Sequence, residues 1–288
     1  MPGTTLTTKE VARVLQVSEA TVKRWADDGL LHSEKTVGGH RRFSTAGIAR
    51  FERGRRASEA PVGVNRKIQH TESASGVLAD LLFQHLITGE EEEAAGLLIH
   101  TYLEGQSLAL LFDRVVAKAM HRVGELWYRG ELTIADEHLA ARTAIVTLQK
   151  LRNVIRLALP NGMKAMLCGM ERDLHELPLN LLQILLESDG WKVINLGPNT
   201  PFFTLAEAVA KLRPKLICIS AKLVSDPDRA AREYDQVRKV AAKIRSSIAI
   251  GGDGFTDPKL RQRFSSDLLA ADLVELVKFT HSLVPAEK

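Results

Sequence analysis

Asp173 and His175 stand one residue apart, a spacing with a definite chemical use. A neutral imidazole can donate to a metal through one nitrogen while a carboxylate takes the hydrogen bond of the other, fixing tautomer and basicity. A plain loop hydrogen bond uses the same two groups, and for a lone histidine it is the commoner arrangement. A second group is Trp127-Tyr128, with Glu137-His138 beginning ten residues past the tryptophan. A large indole beside an ionisable pair suits a ligand lid, and equally a core tryptophan with a surface Glu-His. The third group is basic: Thr21, Lys23 and Arg24, then His40-Arg41-Arg42 directly after Gly38-Gly39. Cationic side chains of this kind meet phosphates, and Thr or Arg on a short helix can reach base edges.

The elements that must carry these groups are readable. Thr7 caps a first helix whose stripe is Val11, Ala12 and Leu15. Ser18 caps a second, with Val22 and Trp25 facing inward and Gly29 as its stop. Two short helices joined by a tight turn make a helix-turn-helix. Gly38-Gly39 is expected to form a two-residue hairpin turn with both glycines at positive φ, and Phe43 to anchor the return strand. Helices are expected at about 74–88, 91–103, 106–129 and 134–157, enough for a bundle. Thr133 with Asp136 reads as a capping box that sets Glu137 and His138 at a helix start. The run Glu90 to Glu93 suits a first turn, where the helix dipole favours carboxylates.

From 163 onward short apolar runs alternate with amphipathic stretches. Strands are expected at 164–170, 191–196, 216–220 and 248–252, as in a parallel sheet. Ligands of open α/β sheets sit at the carboxyl ends of the strands. Asp173, His175, Ser220, Gly251 and Gly252 fall there: Ser220 can hydrogen-bond a buried ligand tail, and the paired glycines let backbone approach a ring system.

The fold class is therefore mainly α plus α/β: a winged helix-turn-helix (1–56), a Pro/Gly/Ser-containing linker (57–73), a four-helix bundle (74–160) and a Rossmann-like, flavodoxin-like domain (161–288). With 288 residues, 45% of them hydrophobic, the chain can build such cores. The net charge of +4 is uneven: residues 1–70 hold 13 Lys/Arg against 7 Asp/Glu, and the remainder 26 against 28. The excess lies on the segment that carries the basic cluster, which favours a polyanionic partner there. No apolar run reaches the ~20 residues of a bilayer span, and the start lacks a signal-peptide pattern, so no membrane association and a cytoplasmic location are expected. Two cysteines without CxxC spacing, Cys168 and Cys218, fit a reduced compartment and no thiolate zinc site.

Residues 5–56, with "TVGGHRRF" as their most specific stretch, resemble the MerR-type winged helix-turn-helix family. Residues 74–288 resemble the cobalamin-binding module: Asp173 and His175 match its Asp-x-His loop, Ser220 its serine motif, and Gly251-Gly252 its paired glycines. The whole chain is similar to the CarH/LitR family of light-responsive repressors, which the Trp127 to Glu137-His138 spacing and "LGPNTP" at 196–201 also match. The resemblance implies a non-enzymatic DNA-binding repressor that binds paired half-sites of double-stranded operator DNA and self-associates to a dimer or tetramer. It implies adenosylcobalamin as cofactor, with His175 below the cobalt, Trp127 over the upper face, and Tyr128, Glu137 and His138 close by. It also implies base contacts from Thr21 and Arg24, and phosphate contacts from Lys23, Arg41 and Arg42, with His40 beside them. Two positions depart from the pattern. Tyr128 stands where light-responsive members often place a histidine, and a phenol with a pKa of about 10 is a poorer cobalt ligand. Pro178 replaces the loop glycine; it fixes φ and suits the first turn of the following helix. A same-architecture regulator of another tetrapyrrole, a redox signal or a protein partner therefore stays open. So does a corrinoid methyl-transfer subunit, although the winged reader argues against it.

Overall fold

The computed structural model describes residues 5–14, 18–27, 29–36, 38–44, 47, 48, 51 and 72–284. Leu15 and most of the expected 57–73 linker lie outside the described residues. The chain divides into two units: one holds 1–107 and 114–155, the other 108–113 and 156–288.

In the first unit, β1 (Thr5–Thr7), β2 (Glu34–Lys35) and β3 (Arg41–Ser44) form an antiparallel sheet in the order β1-β3-β2. Between them run the Thr8–Val14 and Glu19–Asp27 helices. Thr7 takes the Glu10 amide at 3.3 Å while Glu10 takes the Thr7 amide at 2.6 Å, so the first helix starts on a reciprocal cap. Ser18 Oγ accepts from the Thr21 amide at 3.1 Å and starts the second. Gly29 follows the second helix at φ +71, a left-handed conformation that suits glycine. Val11, Ala12, Val22, Leu31, Phe43 and Ile48 make the core, with Leu6, Trp25 and Phe51 packed on it. Strand β1 was not expected from the sequence; three residues are too few to show a period.

The hairpin differs from expectation. The Thr36 amide donates to the His40 carbonyl at 2.9 Å, and the Gly39 amide to the Thr36 carbonyl at 2.8 Å. The turn therefore closes between Thr36 and His40, and of the two glycines only Gly39 has positive φ, at +78. A three-residue hairpin needs one left-handed residue, at its last position, so one glycine suffices.

Helices follow at Glu72–Thr88, Glu91–Leu103, Leu108–Leu111, Ala117–Tyr128 and Ile134–Arg152. The expected 106–129 helix starts later and carries a π-helical turn at Phe112–Val116. The last helix stops at Arg152 rather than 157. Within the first unit, Leu82, Leu86, Leu98, Val123 and Leu148 are buried. Glu91, Glu92 and Glu93 occupy a first turn as expected, and Lys150 pairs with Glu91 at 3.3 Å and Glu92 at 2.9 Å.

The second unit is built on β4 (Lys164–Gly169), β5 (Lys192–Asn195), β6 (Leu216–Ser220), β7 (Ser247–Gly251) and β8 (Leu268–Ala270), all parallel. Their order, β5-β4-β6-β7-β8, is the doubly wound order of flavodoxin-like sheets. Runs such as Leu216-Ile-Cys-Ile are buried throughout, as strands covered on both faces must be. β8 went unread because three half-buried residues carry little signal. Cys168 and Cys218 pack into separate core clusters. Burial pushes the Cys218 thiol up to about 12 and the Cys168 thiol higher, so both stay protonated. The Asp113 carboxylate accepts from the Leu273 amide at 3.0 Å and the Val274 amide at 3.2 Å, satisfying first-turn donors of the Leu273–Leu283 helix. Among the described residues no helix is long and apolar enough to cross a membrane.

Candidate functional site

The strand order reverses between β4 and β6, and the crevice beyond their carboxyl ends is where such sheets bind ligands. The loop leaving β4 is tied down residue by residue. The Met170 amide donates to the Ser220 carbonyl at 2.9 Å. Arg172, at φ +66, donates its amide to the Asn199 side chain at 2.8 Å, and the Asn199 amide returns a bond to the Asp173 carbonyl at 2.9 Å. Glu171 is paired with Arg229. The "LGPNTP" stretch thus serves, in this fold, as the wall that shapes the histidine loop.

At the loop's centre the Asp173 side chain is 3% exposed and the His175 side chain 56%. One carboxylate oxygen accepts from His175 Nδ1 at 2.6 Å and from the His175 amide at 3.0 Å. The other accepts from the Lys222 amide at 2.5 Å. Burial works to raise the Asp173 carboxyl, but the hydrogen bonds from the His175 ring, the His175 amide and the Lys222 amide outweigh it and hold it below the ordinary value. An ionised carboxylate only accepts, so Nδ1 carries a proton, and in the neutral ring Nε2 then carries the lone pair. A half-exposed imidazole with a fixed tautomer is a suitable donor to a metal.

The structure places the other expected positions as follows. Pro178 lies in the first turn of the Leu177–Ser188 helix, where no intrahelical N–H is needed. Ser220 ends β6, one residue before Ala221, whose amide binds the Gly251 carbonyl at 3.0 Å. Gly252 has φ +103, and a Cβ there would stand 2.3 Å from the Ala221 carbonyl oxygen. The protein's own backbone, before any ligand, thus requires glycine at 252. At Gly251 a Cβ would lie 3.4 Å from the Ala270 carbonyl, a far milder constraint. The sequence reading missed Lys222 as a member of the site. Its signal was its place two residues past Ser220, at the end of the strand beside β4.

Trp127 and Tyr128 close the Ala117–Tyr128 helix, and Gly130 at φ +75 follows. The expected capping box is present: Thr133 Oγ1 accepts from the Asp136 amide at 3.2 Å, and Asp136 takes the Thr133 amide at 2.8 Å. Glu137 and His138 follow directly, with Nε2 and Oε2 3.6 Å apart. The core-tryptophan alternative is not what the fold builds, since Trp127 is 46% exposed and Tyr128 87%.

In the reader, Lys23 and Arg24 are exposed on the second helix, and His40 is exposed at the hairpin. Thr21 Oγ1 lies 2.9 Å from Ser18 Oγ. Arg42 is half-buried, paired in register with Thr7 and Glu34. Arg41 is engaged internally: its guanidinium pairs with Asp27 and donates to the Lys23 carbonyl at 3.2 Å. It ties the wing to the second helix.

Residues 5–56 match the helix-turn-helix domain family, and residues 78–151 match the B12 binding domain family. The chain joins a helix-turn-helix domain to a B12 binding domain. The B12 match covers the helical segment; the sheet with Asp173 and His175 lies outside it. The chain is similar to the HTH-type transcriptional repressor CarA of Myxococcus xanthus, 24% identical over 273 residues, 87% of each chain. It is also similar to the HTH-type transcriptional repressor CarH of the same organism, 28% identical over 140 residues, which are 49% of this chain and 44% of that one. The fold is like that of the Methanosarcina barkeri monomethylamine corrinoid protein, at a TM-score of 0.60 and 16% identity, over 72% of this chain and 98% of that one.

Proposed function

We propose that this helix-turn-helix B12 protein is a DNA-binding transcriptional repressor whose hold on its operator is governed by adenosylcobalamin and by light. The observation that carries the reading is the Asp173-held imidazole of His175 at the switch point of a flavodoxin-order sheet, in a chain whose other end is a helix-turn-helix. The donor set fits a corrinoid. His175 would offer an oriented nitrogen to cobalt, with no thiolate to compete, because both cysteines are buried and protonated.

When bound, adenosylcobalamin supplies a light-labile cobalt–carbon bond. In this reading His175 would hold the cofactor, with its tautomer fixed by Asp173, and Ser220 would hydrogen-bond the nucleotide tail. Trp127, Tyr128, Glu137 and His138 would be further residues that meet the cofactor. Thr21 and Arg24 meet bases, while Lys23, His40 and Arg42 meet the backbone of double-stranded DNA. The dark, loaded protein self-associates to a dimer or tetramer on paired half-sites in the cytoplasm, and illumination reverses this. The similarity to CarA runs through the reader as well as the B12 domain, which favours a regulator over a methyl-transfer subunit.

The experiment is an absorbance spectrum in the dark after incubation with adenosylcobalamin and desalting, repeated after green illumination. The expected result is a retained corrinoid spectrum that changes with light. Retention without a light response leaves a cobalamin-dependent repressor and removes the photoreceptor. No retained corrinoid, with operator binding intact, overturns the cofactor reading and favours a different signal.

A further inference from the structure

We infer that Lys222 is the residue that receives the phosphodiester of the cofactor's nucleotide tail, with Asp253 as its resting counter-ion. This rests on the corrinoid reading above. The tail of a cobalamin hangs below the corrin ring, runs through a phosphodiester and ends in a base. On that reading His175 would take the ring end of the path and Ser220 the base end. Lys222 is tied to the first and adjoins the second: its amide donates at 2.5 Å to the same carboxylate that holds His175, and it follows Ser220 by two residues.

The side chain is suited to the task. Its ammonium is paired with Asp253, just past Gly251-Gly252 on the loop leaving β7. The Lys222 side chain is 48% exposed and that of Asp253 50%. An ion pair this exposed contributes little by itself, because water screens both charges. Exchange of one carboxylate for an arriving phosphodiester therefore costs little. Lysine is a point charge on a flexible stem, able to swing to a phosphate while its backbone stays fixed. Here the backbone is fixed by Asp173. The loop would thus read two parts of one ligand: cobalt through His175, and the anionic tail through Lys222.

Two corrinoids separate these parts. Cobalamin carries the nucleotide tail, and cobinamide lacks the phosphodiester and base. Affinities would be measured by absorbance titration of the full chain in the dark, for the wild type, Lys222→Met, Lys222→Arg and Asp253→Asn. Loss of one charge-assisted contact predicts cobalamin binding weakened about tenfold in Lys222→Met. Cobinamide binding should change less than about twofold, and Lys222→Arg should retain most of the cobalamin affinity. Asp253→Asn should bind cobalamin at least as tightly as the wild type. An equal loss for both corrinoids in Lys222→Met would assign the lysine a purely structural role and overturn the inference, as would no loss for either. A wild type that binds neither corrinoid would instead remove the functional reading itself.

Discussion

The Asp173 carboxylate joins His175 to Lys222: one oxygen accepts from the imidazole Nδ1 at 2.6 Å, the other from the Lys222 amide at 2.5 Å. Loops leaving two neighbouring strands, β4 and β6, thus meet on one buried group. Asp173→Asn keeps the size but replaces one acceptor oxygen with a donor, so either the ring N–H or the Lys222 amide loses its partner. An unsatisfied buried donor costs about 1–3 kcal/mol. The variant should unfold at lower urea and bind corrinoid more weakly, and His175→Ala should alter the spectrum of the bound cofactor. An unchanged spectrum and affinity in His175→Ala would remove the ligand assignment.

The same carboxylate sets a pH dependence. Its hydrogen bonds hold the folded-state value below the ordinary 3.8. A group depressed in the folded state stabilises fully above its unfolded value, and that contribution is lost as pH falls through the folded one. The Asp173 contribution to loop stability should therefore be fully present above about pH 4 and be lost below it. Thermal melting against pH, with Asp173→Asn as reference, checks this. A drop already complete at pH 5 would contradict it.

Arg41 and Lys23 should behave differently on DNA. Lys23→Ala should lower the slope of log affinity against log salt by about one, as expected for one phosphate contact. Arg41 is tied to Asp27 and the Lys23 carbonyl, so Arg41→Ala should weaken binding at every salt concentration with little change in slope. Equal slope changes in the two variants would show that Arg41 leaves Asp27 for the backbone of DNA.

Phe43 is fully buried in the small reader core. Removing a buried phenylalanine costs about 3–5 kcal/mol, a large share of the stability of a domain this small. Phe43→Ala should abolish operator binding in gel shifts while corrinoid retention persists. Intact DNA binding would mean that other contacts hold the wing.

Tyr128 projects into solvent at the end of its helix, 87% exposed. Tyr128→His puts an imidazole there, a better cobalt ligand at neutral pH than a phenol. After illumination the corrinoid spectrum should differ from that of the illuminated wild type. Identical spectra would take position 128 away from the cofactor.

The sequence by itself determined most of the helices, the inner strands and the chemistry of the Asp-x-His pair, because each rests on local terms. Capping by Thr7, Ser18 and Thr133, the left-handed glycine after the second helix, the buried runs of β4, β6 and β7, and the Asp-x-His pair all lie within a few residues of their partners. Relations across many residues were invisible to it. Asp173 reaches Lys222 over 49 positions, Arg41 reaches Asp27 over 14, and Gly252 is required by the carbonyl of Ala221 on the neighbouring strand's loop. Strand order decides which loops become neighbours, and no local periodicity encodes it. Tertiary structure therefore decided that an arginine of the basic cluster braces the wing, and that a lysine with no motif of its own stands beside the site histidine.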